Sequence, residues 1–311
     1  MIVPAISPTI MPTARQAGMT LPELMIALAI GALVALGAAS MFGVASASHA
    51  AQLDAATVDD NGRYALELIA RGVRQAGLRD WEAIDPAVGL EPLQPPRVMG
   101  FDARSIAKTG NAIDESLPDA ANGSDVLAVR YHGAGPAPDG DGSALNCAGF
   151  GVHALEDGWS IFYVAKNAQG EAELRCKYRG ASSWGADAVV AGVDTFQVLY
   201  AVDTDTPADG VANGYMNADA VTALDAAFLP GPDLQEHTYW KRVLAVRVAL
   251  VLHGARPTYL ARETQVFDAF GAAYSDALAA IDVGTRLPED SLAPGVRLRE
   301  RRLFATTVRL R

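Results

Sequence analysis

Gly18-Met19-Thr20-Leu21-Pro22-Glu23, followed by Leu24–Val44 (LMIALAIGALVALGAASMFGV), is the stretch on which the reading of this chain turns. No Asp, Glu, Lys or Arg occurs between Glu23 and Asp54. The 21 apolar residues would span about 30 Å of hydrocarbon as a helix rising about 1.5 Å per residue. A Sec signal peptide has a shorter apolar core, roughly 7–15 residues, and a small-x-small cleavage site. Ala45-Ser46-Ala47 offers such a site, but the run before it is too long, and Glu23 sits badly at its start. Ala27, Gly31, Ala35, Ala39 and Gly43 recur every fourth residue, a small-residue stripe that permits close helix packing without requiring it.

Outward from this segment, the composition is that of a folding chain. Of 311 residues, 50% are apolar and 20% charged, enough to bury a core and exclude disorder throughout. One membrane-length segment excludes a multi-spanning protein. A net charge of −11 argues against general nucleic-acid binding, which needs basic surface to displace counterions. The charge is unevenly spread: Arg297–Arg311 carries six Arg and one Glu, so the rest of the chain holds −16.

After Asp54 the pattern becomes amphipathic. Leu66, Ile69, Val73 and Ala76 share one helical face, while Arg63, Glu67, Arg71 and Arg74 lie largely on the other. Gly77 is placed to end the helix. From Leu78 to Gly123 five prolines (Pro86, Pro92, Pro95, Pro96, Pro118) interrupt any period, predicting a long loop region with short helices. Strands are expected at 125–131, 159–166, 171–178, 193–202, 242–252 and 303–311, with a hairpin across Asn167–Gly170 and a helix within 218–228.

Gly18–Glu23 resembles the prepilin peptidase site of type IV pilins and pseudopilins. The resemblance implies cleavage after Gly18 and N-methylation of the new terminus, Met19. Met19 replaces the commoner Phe, and Pro22 the commoner Leu or Ile; proline is tolerated in a helix's first turn. It further implies that Glu23, fifth from the mature terminus, neutralises the N-terminal ammonium of a neighbouring subunit. The competing reading is a Glu that merely reaches the headgroups.

Asn61-Gly62-Arg63-Tyr64-Ala65-Leu66-Glu67-Leu68-Ile69-Ala70-Arg71, with Arg74-Gln75-Ala76-Gly77, is similar to a segment of PilW-type minor pilins. Val193–Tyr215, Trp240–Leu252 and the terminus Arg301–Arg311 (RRLFATTVRLR) extend the likeness, whereas 81–123 and 254–294 align with nothing. The fold implied is α+β and pilin-like: a long N-terminal helical spine packed on an antiparallel β-sheet head. The expected organisation is a leader (1–18), the transmembrane half of the spine (19–53), its amphipathic half (54–77) and a periplasmic head (78–311).

The function implied is a minor pilin that helps initiate type IV pilus assembly within a tip complex. Its partners would be the prepilin peptidase, other minor pilins, the major pilin and an adhesin at the tip. It would sit in the inner membrane as a single-pass protein, with no cofactor, no nucleic acid and no catalysis. Rival readings are a type II secretion pseudopilin, and a soluble periplasmic enzyme or binding protein released by Sec cleavage after Ala47.

Other chemistry is sparse. Cys147 and Cys176 would lie in the oxidising periplasm, where a disulfide is expected over two buried thiols. Asp203, Asp205 and Asp209 form a weak calcium candidate; the second gap is too wide and no Glu closes the loop, so turn chemistry is the first reading. Five histidines make no i,i+4 pair, and there is no P-loop or nucleophile elbow. Arg297, Arg299, Arg301, Arg302, Arg309 and Arg311 alternate with leucines and read as a solvated strand face, with ion pairs to an acidic subunit as a second use.

Overall fold

The computed structural model describes residues 18–77, 94–113, 116–118, 120–180, 182–258 and 263–310. Residues 1–17 of the expected leader (1–18) and most of the first proline-rich stretch lie outside them. The chain divides into two units, Met1–Gln52 and Leu53–Arg311.

In the first unit the described residues form the opening part of helix α1 (Leu21–Arg74). Every side chain from Leu21 to Ala50 is exposed, including Leu24, Ile26, Leu33, Leu36 and Phe42. A continuous apolar surface of this size cannot remain in water, and its length suits a bilayer crossing. Ser40 donates its hydroxyl to the Gly37 carbonyl at 2.8 Å, so this polar group is satisfied within the helix. The helix begins at Leu21, which places Pro22 in the first turn, where a missing N–H costs no helical hydrogen bond.

The second unit holds the rest of α1 and a β-rich body. In chain order its strands are β1 (Val98–Phe101), β2 (Ser105–Ile106), β3 (Ser116–Leu117), β4 (Val126–His132), β5 (Asp157–Lys166), β6 (Ala172–Arg179) and β7 (Trp184–Ala191). Then follow β8 (Val193–Val202), β9 (Gly214–Met216), β10 (Val243–Pro257), β11 (Val266–Asp268), β12 (Arg286–Pro288) and β13 (Arg299–Arg309). Short helices α2 (Ala218–Leu224), α3 (Pro232–His237) and α4 (Ala272–Leu278) sit between strands of the second half. One antiparallel sheet has the order β1-β4-β5-β6-β7, and a second has β13-β10-β8-β9. The chain passes between them at Gly192, whose φ of +75° and crowding against the His253 carbonyl exclude a larger residue.

Both sheets share a core with α1. Val58, Ala65, Leu68, Ile69, Val73 and Ala76 pack with Phe162, Val164 and Leu174 of the first sheet and Phe196, Val198, Val246 and Leu250 of the second. The buried face is wider than the sequence pattern indicated, because it includes two glycines. A Cβ at Gly62 would land on the Phe304 ring of β13, and one at Gly72 would lie 3.3 Å from Phe162 of β5. Arg63, Glu67, Arg71 and Arg74 are exposed as expected. The helix ends at Arg74, three residues before the predicted stop; Gly77 follows in a turn at φ +72° and donates to the Arg130 carbonyl.

Two strands of the first sheet went unpredicted. Val98–Phe101 falls in the region read as loop, yet pairs from Val98↔Val129 to Phe101↔Val126. Gly100 hides its strand character, and is needed because a Cβ there would strike the Tyr200 hydroxyl and the Val126 carbonyl. Trp184–Ala191 (WGADAVVA) is too rich in alanine to alternate clearly. The final strand starts at Arg299, four residues before its expected beginning, and the helix within 218–228 finishes as a 3₁₀ turn over Asp225–Ala227.

Buried carboxylates cluster where β1, β8 and α2 meet. Asp102 accepts the N–H groups of Ala218 (2.9 Å) and Asp219 (2.7 Å) at the start of α2. Asp125 accepts those of Ala103 (3.0 Å) and Val198 (2.8 Å), and Asp282 accepts from Tyr274 (2.7 Å) and Asn217 (3.1 Å). Burial pushes the Asp102 carboxyl up to about 7, and raises Asp125 and Asp282 as well. Since the folded state holds these protons more tightly than the unfolded chain, stability falls as pH rises from about 4 through about 7. Asp141, Asp203 and Asp268, held low by hydrogen bonds from Ser143, Gly210 and Arg286, act in the opposite sense only below about pH 4. Thermal unfolding of the full chain in detergent should therefore show a higher midpoint at pH 5 than at pH 8, and Asp102→Asn should narrow that gap.

Candidate functional site

The residues read from sequence as processing and assembly positions lie at the start of α1. Gly18, Met19 and Thr20 are exposed and precede the first helical turn, so the Gly18–Met19 bond is on non-helical chain. Glu23 accepts two hydrogen bonds through one oxygen: the Thr20 N–H donates to Oε2 at 2.9 Å and the Thr20 hydroxyl donates at 2.8 Å. This is the carboxylate half of a capping box, in which the residue at the third helical position ties back to the cap. The Thr20-x-x-Glu23 spacing is the signal in the sequence from which this bond could have been found. The carboxylate also lies at the positive end of the helix dipole. Its other oxygen, Oε1, has no partner within the described chain.

Cys147 and Cys176 are joined in a disulfide, their Cα atoms 5.9 Å apart. Cys147 lies on the long connection between β4 and β5, and Cys176 on β6 opposite Phe162. The bond anchors that connection to the first sheet, against the core that receives α1.

Asp203, Asp205 and Asp209 converge in the connection between β8 and β9, with a carboxylate oxygen of each within 4.8 Å of the others. Each is engaged by the loop itself. Asp203 accepts the N–H groups of Gly210 (2.7 Å) and Asp205 (3.1 Å), Asp209 accepts that of Val211 (2.8 Å), and Asp205 accepts from the Asn213 amide (3.0 Å). These bonds shape the turn, and they hold the Asp203 carboxyl below its ordinary value.

The arginine-rich terminus departs from the expectation of a solvated strand face. Arg301 is buried, its guanidinium bridging Asp194 (2.8 Å) and Glu289 (2.7 Å). Burial raises the Asp194 carboxyl, and the charges of His253 and Arg301 oppose that rise. Arg299 pairs with Glu171 at 2.8 Å, and Arg302 with Asp59 of α1 at 2.5 Å. The sequence could not show the reason: the segment after β10 folds over this end of the second sheet, packing Leu287, Leu292 and Val296 on Val251. An alternating strand position that looks solvated thus lies beneath a covering layer. Arg309 alone among the described arginines of β13 is exposed with no acidic partner.

These positions coincide with two matches to known families. Residues 13–39 match the family model described as the prokaryotic N-terminal methylation motif. Residues 161–311 match the one described as Type IV Pilus-assembly protein W. The chain is therefore a pilin-like protein, an apolar N-terminal helix joined to an antiparallel β body. More particularly, over residues 161–311 it is similar to the PilW type, and over 13–39 to a prepilin cleavage and methylation segment. The Asn61–Gly77 likeness falls outside both matched stretches. No curated protein and no solved structure matches the chain.

Closing a loop of this size is worth about 3–4 kcal/mol on a chain-entropy view. The double variant Cys147→Ala/Cys176→Ala should lose about that much in denaturant unfolding of the full chain, with its methylation segment unaltered.

Proposed function

We propose that this chain is a minor pilin that helps initiate type IV pilus assembly as part of a minor-pilin complex at the fibre tip. The observation that carries the reading is the conjunction of a methylation-motif match over 13–39 with an assembly-protein match over 161–311 on one chain. In this account the prepilin peptidase cuts after Gly18 and Met19 becomes the N-methylated terminus. The apolar segment holds the protein in the inner membrane, with the β-rich body on the periplasmic side, where Cys147 and Cys176 oxidise. Residues 19–53 then serve as the membrane half of the spine, 54–77 as its amphipathic half and 78–311 as the head.

Glu23 has a definite place in this scheme. Its Oε2 is occupied by Thr20 while Oε1 remains available to a neighbour's terminal ammonium. A charge-assisted bond formed in an apolar setting is far stronger than one in water, and an unpaired carboxylate there is costly. Pairing would therefore favour packing of the apolar helices in register. The work is association, and pilin-family domains are structural. A Sec-released protein starting at Ser48 would discard the segment that matches the methylation motif, which counts against that alternative. A type II secretion pseudopilin shares the spine, and the pilus-assembly match favours the pilus.

Intact-mass analysis and N-terminal sequencing of the mature protein should give N-methyl-Met19; a terminus at Ser48 would overturn the reading. Deleting the gene should abolish surface pili and twitching while sparing exoprotein secretion. Glu23→Ala should still be cleaved, yet be absent from sheared fibres; normal incorporation would refute the pairing role.

A further inference from the structure

Strand β13 forms one edge of the second sheet, with β10 as its only strand neighbour among the described residues. Its pairing runs without a break from His253↔Arg301 to Ala245↔Arg309. Just beyond, the Leu310 N–H donates to the Leu244 carbonyl at 2.9 Å. Backbone groups along an antiparallel strand turn alternately toward and away from the partner. The even-numbered residues therefore bond to β10, and Leu303, Ala305, Thr307 and Arg309 direct their N–H and C=O groups to the open side. All four are exposed, and none of their outward backbone groups meets a partner among the described residues. On the other parity, Phe304 packs on α1 at Gly62 and Val308 is buried, so the strand is held firmly from within.

Open edges of this length are templates for strand addition, and soluble proteins commonly shorten, cover or break them. This one is seven residues from Leu303 to Arg309, about 20 Å at the usual rise, without proline or bulge, and no strand among the described residues pairs with its outer side. Its charge selects the partner. Arg302 at one end of the free stretch is already paired with Asp59 of α1, whereas Arg309 at the other end has no acidic partner among the described residues, and Glu300 is the single acid from Arg297 to the end of the chain. Two copies pairing through β13 about a two-fold axis would meet in a register joining odd-numbered residues. In every such register Arg309 would share its face of the sheet with the partner's odd-numbered residues, none of which is acidic, so a second copy offers Arg309 no counter-charge.

We propose that the open edge of β13 takes an additional antiparallel strand from another pilus subunit, an extended segment with an acidic residue beside Arg309. The main-chain bonds of Leu303, Ala305 and Thr307 would supply affinity, and Arg309 would set register and choice of partner. The inference rests on the pilus reading for the identity of the neighbour, and on the strand geometry for the mode of contact.

The test uses the mature full chain in detergent and two labelled eight-residue peptides. Both alternate Thr and Val; one has Glu at each end and the other Lys. In fluorescence anisotropy at low salt the Glu-ended peptide should bind at least about tenfold more tightly than the Lys-ended one. Ala305→Pro removes an N–H that faces the open side while sparing the β10 ladder, and should weaken binding about tenfold or more. Arg309→Glu, an exposed change that leaves the backbone intact, should reverse the preference between peptides. The proposal is overturned if neither peptide binds, if both bind equally, or if Arg309→Glu leaves the preference unchanged. It is also overturned if the chain forms a dimer that Ala305→Pro abolishes, since the edge would then receive its own copy. Failure here would leave the N-methyl-Met19 terminus as it is, so the two readings are judged separately.

Discussion

The body of this protein depends on how closely a helix can approach two sheets at once. Gly62 and Gly72 lie on the buried face of α1, one beneath Phe304 of β13 and the other against Phe162 of β5. The two aromatic rings belong to different sheets, so the glycines bring both into contact with one helix. Glycine in a helix interior costs roughly 1 kcal/mol relative to alanine. That cost is offset by burying two phenylalanines together with Ala65, Ile69 and Val73, each such large side chain being worth about 1.5–3 kcal/mol on transfer from water. The same strand that covers Gly62 then offers its far edge to solvent, so the packing that closes the core also fixes the surface on which another strand can be added.

Charge is arranged around this core in two ways. On the surface, Arg302 joins Asp59 across the helix–strand contact; an exposed pair of this kind contributes about 1 kcal/mol or less. Within, Arg301 links Asp194 on β8 to Glu289 beside β12, tying the covering segment to the sheet beneath. Breaking such a buried set from one side leaves uncompensated charge and costs several kcal/mol. The carboxylates at the start of α2 have no cation among their hydrogen-bonding partners, and burial raises their affinity for protons instead.

Much of this was legible in the residues. The span Leu24–Val44 was plain because a charge-free apolar run of that length suits little besides a bilayer. The strands at Val193–Val202 and Asp157–Lys166 showed because β-branched and aromatic residues cluster there. The disulfide followed from two cysteines in a chain whose N-terminal segment led to the expectation of an oxidising compartment. What escaped depended on partners distant in sequence. Gly100 and the alanines of Trp184–Ala191 suit their strands only because of what lies across from them. Arg301 looked solvated because alternation along a strand cannot show that residues 287–296 cover one face. Glu23 stood out by its position at the head of the apolar run, whereas its bond to Thr20 was missed although the capping-box spacing carries it.

The central claim, that the glycine face of α1 lets β13 close on the helix, has a direct test in Gly62→Ala on the full chain. On a free helix face this change would stabilise by about 1 kcal/mol through helix propensity alone. With the Phe304 ring seated on Gly62, the added methyl has no room. Denaturant unfolding should therefore show Gly62→Ala destabilising the wild-type chain, and the same change becoming neutral or stabilising in a Phe304→Ala background. A stabilising effect in the wild-type chain, or an equal loss in both backgrounds, would contradict the account.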